Sequence, residues 1–78
     1  MRFLLIEDNK DLSSAVSERL RLDGHVIDEA GSLESANDYL SVSSYDLILL
    51  DIMLPDGDGS DFLLNHRKQK NMTPVIVL

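Results

Sequence analysis

The sequence predicts an α/β fold, in which a parallel β-sheet is covered by helices on both faces. Four short runs rich in Leu, Ile and Val predict strands, and they lie at residues 3–6, 25–30, 47–50 and 75–78. Three of these runs are continuously apolar, which is typical of parallel strands buried on both faces. The segments between the runs are long enough for crossover helices, so the predicted order is β-α-β-α-β-α-β.

The first two strands differ in pattern, and the segment between them predicts a helix. FLLI at 3–6 is uniformly apolar, whereas HVIDEA at 25–30 alternates and therefore predicts a strand nearer the sheet edge. Asp8 or Asn9 can cap the intervening helix, and Gly24 can end it in a left-handed conformation. Helical spacing predicts one inward face for it, made of Leu12, Ala15, Val16 and Leu20.

The second and third helices show similar start signals. Ser32 can cap the second helix, which places Leu33, Ala36 and Leu40 on one face. A third helix is predicted to begin near residues 58–60 and to turn Phe62 and Leu63 inward. Basic residues near its C-terminal end are favoured by the helix dipole. Pro74 then favours an extended conformation in the residue before it, which leads into the last strand.

Composition limits both the size and the partners of the protein. The 78 residues predict a single domain, and the net charge of −7 argues against nucleic-acid or membrane-surface contact by this segment. Cysteine is absent, which excludes thiolate metal sites and disulfides. The only apolar run near the first residue is too short for a signal or a membrane span, so we expect a cytoplasmic protein.

Three acidic residues follow two of the predicted strands. Glu7 and Asp8 end the first strand and Asp51 ends the third. If these strands are neighbours, the three carboxylates converge at the carboxyl edge of the sheet, where ligands of such folds bind. Clustered carboxylates suit Mg²⁺, although acids at such junctions are often only helix caps or solvated charges.

Asp51 is the candidate reactive residue. A carboxylate held against Mg²⁺ can act as a nucleophile toward phosphorus and form an aspartyl phosphate. The following LPDGDG contains Pro55, and it contains Gly57 and Gly59, which are expected to allow positive φ and to fold the loop back over the crevice. Any tight strand-to-helix connection could show a similar pattern.

These motifs resemble the receiver domains of bacterial two-component response regulators. The matching stretches are LLIEDN with its acidic pair, DIMLPDGDG with Asp51 and Pro55, and TPVIVL as a fourth strand. The resemblance spans all 78 residues. It implies a flavodoxin-like (CheY-like) fold with strand order 2-1-3-4-5 and phosphoryl transfer from a sensor histidine kinase to Asp51.

The resemblance also implies the roles of the site residues. Asp8, Asp51 and the main-chain carbonyl of Met53 would ligate Mg²⁺, and Glu7 would assist through water. The Met53 side chain itself is expected to be a packing residue. Control of transcription would belong to the full-length parent.

The sequence departs from the family after the fourth strand. The chain matches the N-terminal part of a single receiver domain, with no complete second domain, and the family's Ser or Thr and its later Lys have no counterpart. We therefore expect impaired phosphorylation and self-association through uncovered apolar surface. The alternatives are a pseudo-receiver that binds without chemistry and, less favoured, a phosphatase using Asp51, since Met53 stands where such enzymes need a second acid.

Overall fold

The computed structural model describes residues 1–78 and contains a parallel sheet between two layers of helices. The elements in chain order are β1 (Arg2–Ile6), α1 (Lys10–Leu22), β2 (Val26–Ala30), α2 (Leu33–Val42), β3 (Leu47–Leu50), β4 (Met53–Leu54), β5 (Gly57–Asp58), α3 (Gly59–Lys68) and β6 (Val75–Val77). Four strands form the main sheet in the order β2-β1-β3-β6, all parallel. This confirms the predicted fold class and the edge position of the second strand.

The structure adds one element that the sequence did not predict. The loop after β3 forms a two-stranded antiparallel hairpin, in which Met53 pairs with Asp58 and Leu54 with Gly57. The hairpin is separate from the main sheet. Because each of its strands has only two residues, it shows no run of alternating side chains that could reveal it in the sequence.

Each face of the main sheet has its own apolar core. One face buries Leu4, Ile6, Ile48 and Leu50 completely, and it packs against Ala36 of α2 and Phe62 of α3. The other face presents Phe3, Leu5 and Ile27 to Val16 and Leu20 of α1. The continuous apolar runs of β1 and β3 are therefore explained by burial on both sides, as expected for a parallel sheet.

The inward face of α1 is partly different from the prediction. Leu12 and Ala15 are exposed, so their placement in the core was wrong, whereas Ser13 and Ser17 are buried. Ser13 turns inward because its hydroxyl donates a 2.7 Å hydrogen bond to Oε1 of Glu29 on β2. That hydrogen bond lowers the pKa of Glu29. The buried side of this helix therefore combines a polar contact to the sheet with Val16 and Leu20 of the predicted face.

The first two helices have the predicted caps, and the third begins within the predicted residues 58–60. Side-chain oxygens of Asn9, Ser32 and Asp58 accept from the main-chain N–H groups of Leu12, Ser35 and Ser60 respectively. Asn9, rather than Asp8, caps α1, which leaves the Asp8 carboxylate available at the strand end. Gly24 has a φ of 89° after α1, the left-handed conformation expected of it.

A hydrogen-bonded cluster closes the opposite end of the sheet. The Tyr45 hydroxyl, in a ring that is almost fully buried, donates a 2.6 Å hydrogen bond to Oδ2 of Asp28, which also lies 3.5 Å from the Arg2 guanidinium. Burial, and then the Asp28 carboxylate, raise the pKa of Tyr45 to about 12. These contacts tie β1, β2 and the segment before β3 together, away from the acidic residues.

His66 is a buried polar residue on α3. It is 5% exposed and stacks on Phe62 with ring centroids 5.9 Å apart. Its Nε2 has no hydrogen-bond partner. Burial, followed by the positive charge of Arg67, lowers the pKa of His66, which keeps the imidazole neutral at pH 7.

We predict that His66→Leu makes stability less sensitive to acid. The folded-state pKa of His66 lies below its unfolded value, so its contribution to stability is complete above pH about 6.5 and is lost as pH falls through the folded-state pKa. The free energy of unfolding of the wild type minus that of the variant should therefore fall between pH 7 and pH 5. Chemical denaturation at both pH values measures this difference, and a constant difference would contradict the prediction.

Candidate functional site

The pairing of β1 with β3 positions the acidic residues. Ile6 and Leu50 are register partners, and the N–H of Asp51 donates a 2.9 Å hydrogen bond to the carbonyl of Ile6. The residues after both strands therefore emerge side by side. One carboxylate oxygen from each of Glu7, Asp8 and Asp51 lies within 4.8 Å of the others. The structure thus brings together all three of the carboxylates that the sequence singled out.

Glu7 is the buried member of this cluster. It is 7% exposed, its N–H donates to the Ala30 carbonyl at 2.9 Å, and its Oε1 accepts from the N–H of Asn9 at 3.0 Å. Burial is the main cause of its raised pKa, and the negative charges of Asp51 and Asp8 add to it. The hydrogen bond from Asn9 opposes this rise but does not cancel it.

Asp8 and Asp51 are more accessible than Glu7. Asp8 is exposed and Asp51 is half-buried, so both can meet a ligand from solvent. Oδ1 of Asp51 accepts from the N–H of Met53 at 3.2 Å, which holds the start of the hairpin against the carboxylate. The Met53 side chain is 79% exposed, and its predicted role in packing was therefore wrong.

Gly59 allows the chain to turn closely around Asp51. A Cβ atom on Gly59 would lie 2.7 Å from the carbonyl oxygen of Asp51 and 3.0 Å from Cα of Ile52. Gly59 does not have a positive φ, so the expected reason for this glycine was wrong. The reason is steric: α3 starts where a side chain would collide with the main chain of the acidic site.

Asp56 is a residue of this loop that the sequence analysis missed. Its two carboxylate oxygens accept hydrogen bonds from the N–H groups of Leu33 and Glu34, at the start of α2. Residues 56 and 33 are far apart in the chain, and no local pattern relates them. Only the general turn character of LPDGDG was visible in the sequence.

The donor set of the acidic cluster fits a hard divalent cation. All three side chains offer oxygen, the ligand atom that Mg²⁺ prefers, and two of them face solvent, which suits an ion that retains several waters. A cation would also offset the repulsion that raises the pKa of Glu7. No soft ligand takes part in the cluster, so it does not resemble a structural zinc site.

Comparison with known proteins assigns the family. A family model described as the response regulator receiver domain matches residues 3–78. The chain belongs to the response regulator receiver domain family. The predicted resemblance is thereby confirmed over residues 3–78, and CpxR, one of its relatives, is named as a transcriptional regulatory protein.

Two solved structures and one curated relative illustrate this receiver family. The transcriptional regulatory protein CpxR of Escherichia coli K12 is 39% identical over 77 residues, which are 99% of this chain and 32% of CpxR. The MaeR response regulator bound to beryllium trifluoride has a TM-score of 0.93 at 31% identity, over 100% of this chain and 66% of that one. The response regulator TrrA of Thermotoga maritima, in complex with Mg²⁺ and beryllium fluoride, has a TM-score of 0.84 at 29% identity, over 97% and 64%.

The receiver chain therefore spans about a third of the length of the curated relative and about two thirds of the structural neighbours. None of its helices has the length and apolar composition needed to cross a bilayer.

We predict that Asp51→Asn stabilises the metal-free protein at pH 7. The substitution removes one of three clustered anions, and the gain should be about 1 kcal/mol, the repulsion between unit charges about 4 Å apart in water. The pKa of Glu7 should fall in the variant because the charge of Asp51 is one cause of its rise. Urea denaturation in the presence of a chelator measures the change, with Asp38→Asn on α2 as a control. Equal stability of Asp51→Asn and wild type would refute the repulsion.

Proposed function

We propose that Asp51 accepts a phosphoryl group from the phosphohistidine of a sensor histidine kinase, in a reaction that requires Mg²⁺. The observation that supports this proposal is the convergence of Glu7, Asp8 and Asp51 within 4.8 Å at the carboxyl edge of the sheet. Asp51 is the member that follows the buried strand β3 and remains half-exposed. The strand therefore holds Asp51 in place while its carboxylate stays accessible to a phosphoryl donor.

The transfer exchanges one bond to phosphorus for another. A carboxylate oxygen of Asp51 bonds to phosphorus while the bond from phosphorus to the donor imidazole nitrogen breaks, and its electron pair stays on the imidazole. Bound Mg²⁺ would neutralise charge on the transferring group. The chain's own residues position the acceptor: the hydrogen bonds to Ile6 and from Met53 hold residue 51 at the strand end.

The ligand roles proposed for Mg²⁺ follow the family resemblance. Asp8, Asp51 and the Met53 carbonyl are proposed as direct ligands, and Glu7 is proposed to act through water. Burial of Glu7 behind the two accessible acids is consistent with this indirect role. As a proposal about the whole protein, the receiver would control transcription through a part outside these 78 residues, in the cytoplasm.

Two rival functions remain as alternatives. A phosphatase that turns over an Asp51 phosphate would need a second acid two residues later, where an exposed Met53 stands. A pseudo-receiver without chemistry would not need three converging carboxylates. We therefore favour an acceptor rather than an enzyme.

We predict that Mg²⁺ binds at the three acids and that beryllofluoride requires Asp51. A titration with MgCl₂, followed by amide chemical shifts, should move the signals of residues 7, 8, 51 and 53 with one midpoint. Asp8→Asn should raise that midpoint by at least about tenfold, since even changes outside the ligand set of a metal site cost that much. Asp51→Asn should lose the further shifts that beryllofluoride causes in the wild type.

Asp38→Asn is the matched control for both titrations, because it removes one carboxylate charge on an exposed part of α2. It should behave as the wild type does. If Asp8→Asn and Asp51→Asn also behave as the wild type does, the acidic residues are not the site of binding, and the pseudo-receiver becomes the better description.

We further propose that the chain self-associates through β6. The two edges of the sheet differ: Asp28 and Glu29 of β2 are engaged with Arg2 and Arg21 respectively, whereas β6 has no charged residue. Charged side chains protect an edge strand from pairing with another chain, and an uncharged apolar edge does not have this protection. Ile76, Val77 and Leu78 are each about half exposed.

We predict that Ile76→Lys weakens self-association and that Val26→Lys does not. Ile76 on β6 and Val26 on β2 are exposed to a similar degree, 52% and 58%, so the two variants compare the two edges directly. Analytical ultracentrifugation over a concentration series measures the effect. A wild-type monomer at the highest concentration, or equal effects of the two variants, would contradict the prediction.

A further inference from the structure

Asp56 connects the loop of the acidic site to a distant helix. Its Oδ1 accepts from the N–H of Leu33 at 2.9 Å, and its Oδ2 accepts from the N–H of Glu34 at 3.0 Å. Both donors belong to the first turn of α2, where main-chain N–H groups have no partner within the helix. Both oxygens of a single carboxylate are thus committed to one helix end.

The other hydrogen-bonding groups at the start of α2 do not accept from the N–H groups of Leu33 and Glu34. Ser32, the N-cap, accepts from the N–H of Ser35 through its side chain, and its carbonyl accepts from the N–H of Ala36. The N–H groups of Leu33 and Glu34 are the two that remain, and Asp56 takes both. The two hydrogen bonds lower the pKa of Asp56, with Leu33 as the larger cause, so the carboxylate is charged at neutral pH.

The hairpin connects Asp56 to the acidic site. Asp56 lies in the turn between β4 and β5, and β4 begins with Met53, whose N–H donates to Asp51. The same hairpin approaches α2 closely at a second point, because a Cβ atom on Gly57 would lie 2.9 Å from Cδ1 of Leu33. A shift of the hairpin relative to α2 would therefore disturb both contacts with the helix.

The opposite end of the hairpin is also held. The N–H of Gly59 donates to the carbonyl of Ile52 at 2.8 Å, and the close approach of Gly59 to the Asp51 carbonyl leaves no room for a side chain. The hairpin is therefore held at two places. Its base is held near Asp51 by the contacts of Gly59, and its turn is held at the start of α2 by Asp56.

We infer that Asp56 is a positioning residue for the Asp51 site, which holds the Met53 main chain in place by fastening the hairpin to α2 and which couples ligand binding at Asp51 to the first turn of α2. This inference rests on the proposed function, because it assigns Asp56 a role in Mg²⁺ binding without contact to the ion. Asp56 itself is not a metal ligand in this proposal. Its carboxylate has both oxygens engaged with α2.

The test is an MgCl₂ titration of Asp56→Ala followed by amide chemical shifts, with the wild type in parallel. In the wild type, the amide signals of residues 33 and 34 should move with the same midpoint as those of residues 8 and 51. In Asp56→Ala, the midpoint at residues 8 and 51 should rise by about tenfold, the lower end of the effect of removing a supporting group from a metal site. The signals of residues 33 and 34 should no longer respond.

Two further variants separate positioning from general stability. Asp56→Asn retains one carbonyl oxygen that can accept a hydrogen bond, so it should restore part of the coupling, and it replaces Asp56→Ala in the comparison if the alanine variant does not fold. Asp38→Asn also removes one negative charge, but from an exposed position on α2, and the Asp38 side chain makes no hydrogen bond to the hairpin. It should titrate as the wild type does.

The possible outcomes distinguish this inference from the proposed function. Wild-type midpoints in Asp56→Ala, or equal losses in Asp56→Ala and Asp38→Asn, would overturn the role of Asp56 and leave Asp51 as the proposed acceptor. Absence of any shift at residues 8 and 51 in the wild type would overturn both. A raised midpoint with uncoupled α2 signals, in Asp56→Ala alone, would support the positioning role.

Discussion

The parallel pairing of β1 with β3 is the constraint on which the site depends. Leu4, Ile6, Ile48 and Leu50 of these strands are fully buried between the helices. The register pairs Ile6 with Leu50, so the two strands end at the same level. Because the register is held, the residues that follow Ile6 and Leu50 must emerge together, and these are the acids.

The close grouping of three carboxylates lowers the stability of the folded protein. Glu7 is buried beside two further anions, and its raised pKa reflects the free energy needed to keep it charged there. Such local destabilisation is common at functional sites, where the surrounding structure holds groups that would otherwise separate. Here the surrounding support consists of the strand ends, the close turn at Gly59 and the hairpin fastened by Asp56.

The sheet has chemically different ends and edges. The three acids lie at the carboxyl ends of its strands, whereas the hydrogen-bonded group of Tyr45 and Asp28 lies toward the opposite end. Its β2 edge has ion-paired acidic residues, whereas its β6 edge is apolar and half exposed. This division separates the acidic cluster from the apolar edge strand.

Local signals in the sequence determined the order of elements, the helix starts at Asn9, Ser32 and Asp58, and the strand ends that place the acids. Those signals act over about four residues, through apolar periodicity and capping, so they can be read without a structure. Tertiary structure alone decided the burial of Ser13 against Glu29, the attachment of Asp56 to α2 and the steric need for Gly59. Each of these is a contact between residues that are distant in the sequence. The local preferences of neighbouring residues do not specify which distant groups will be in contact after the chain packs.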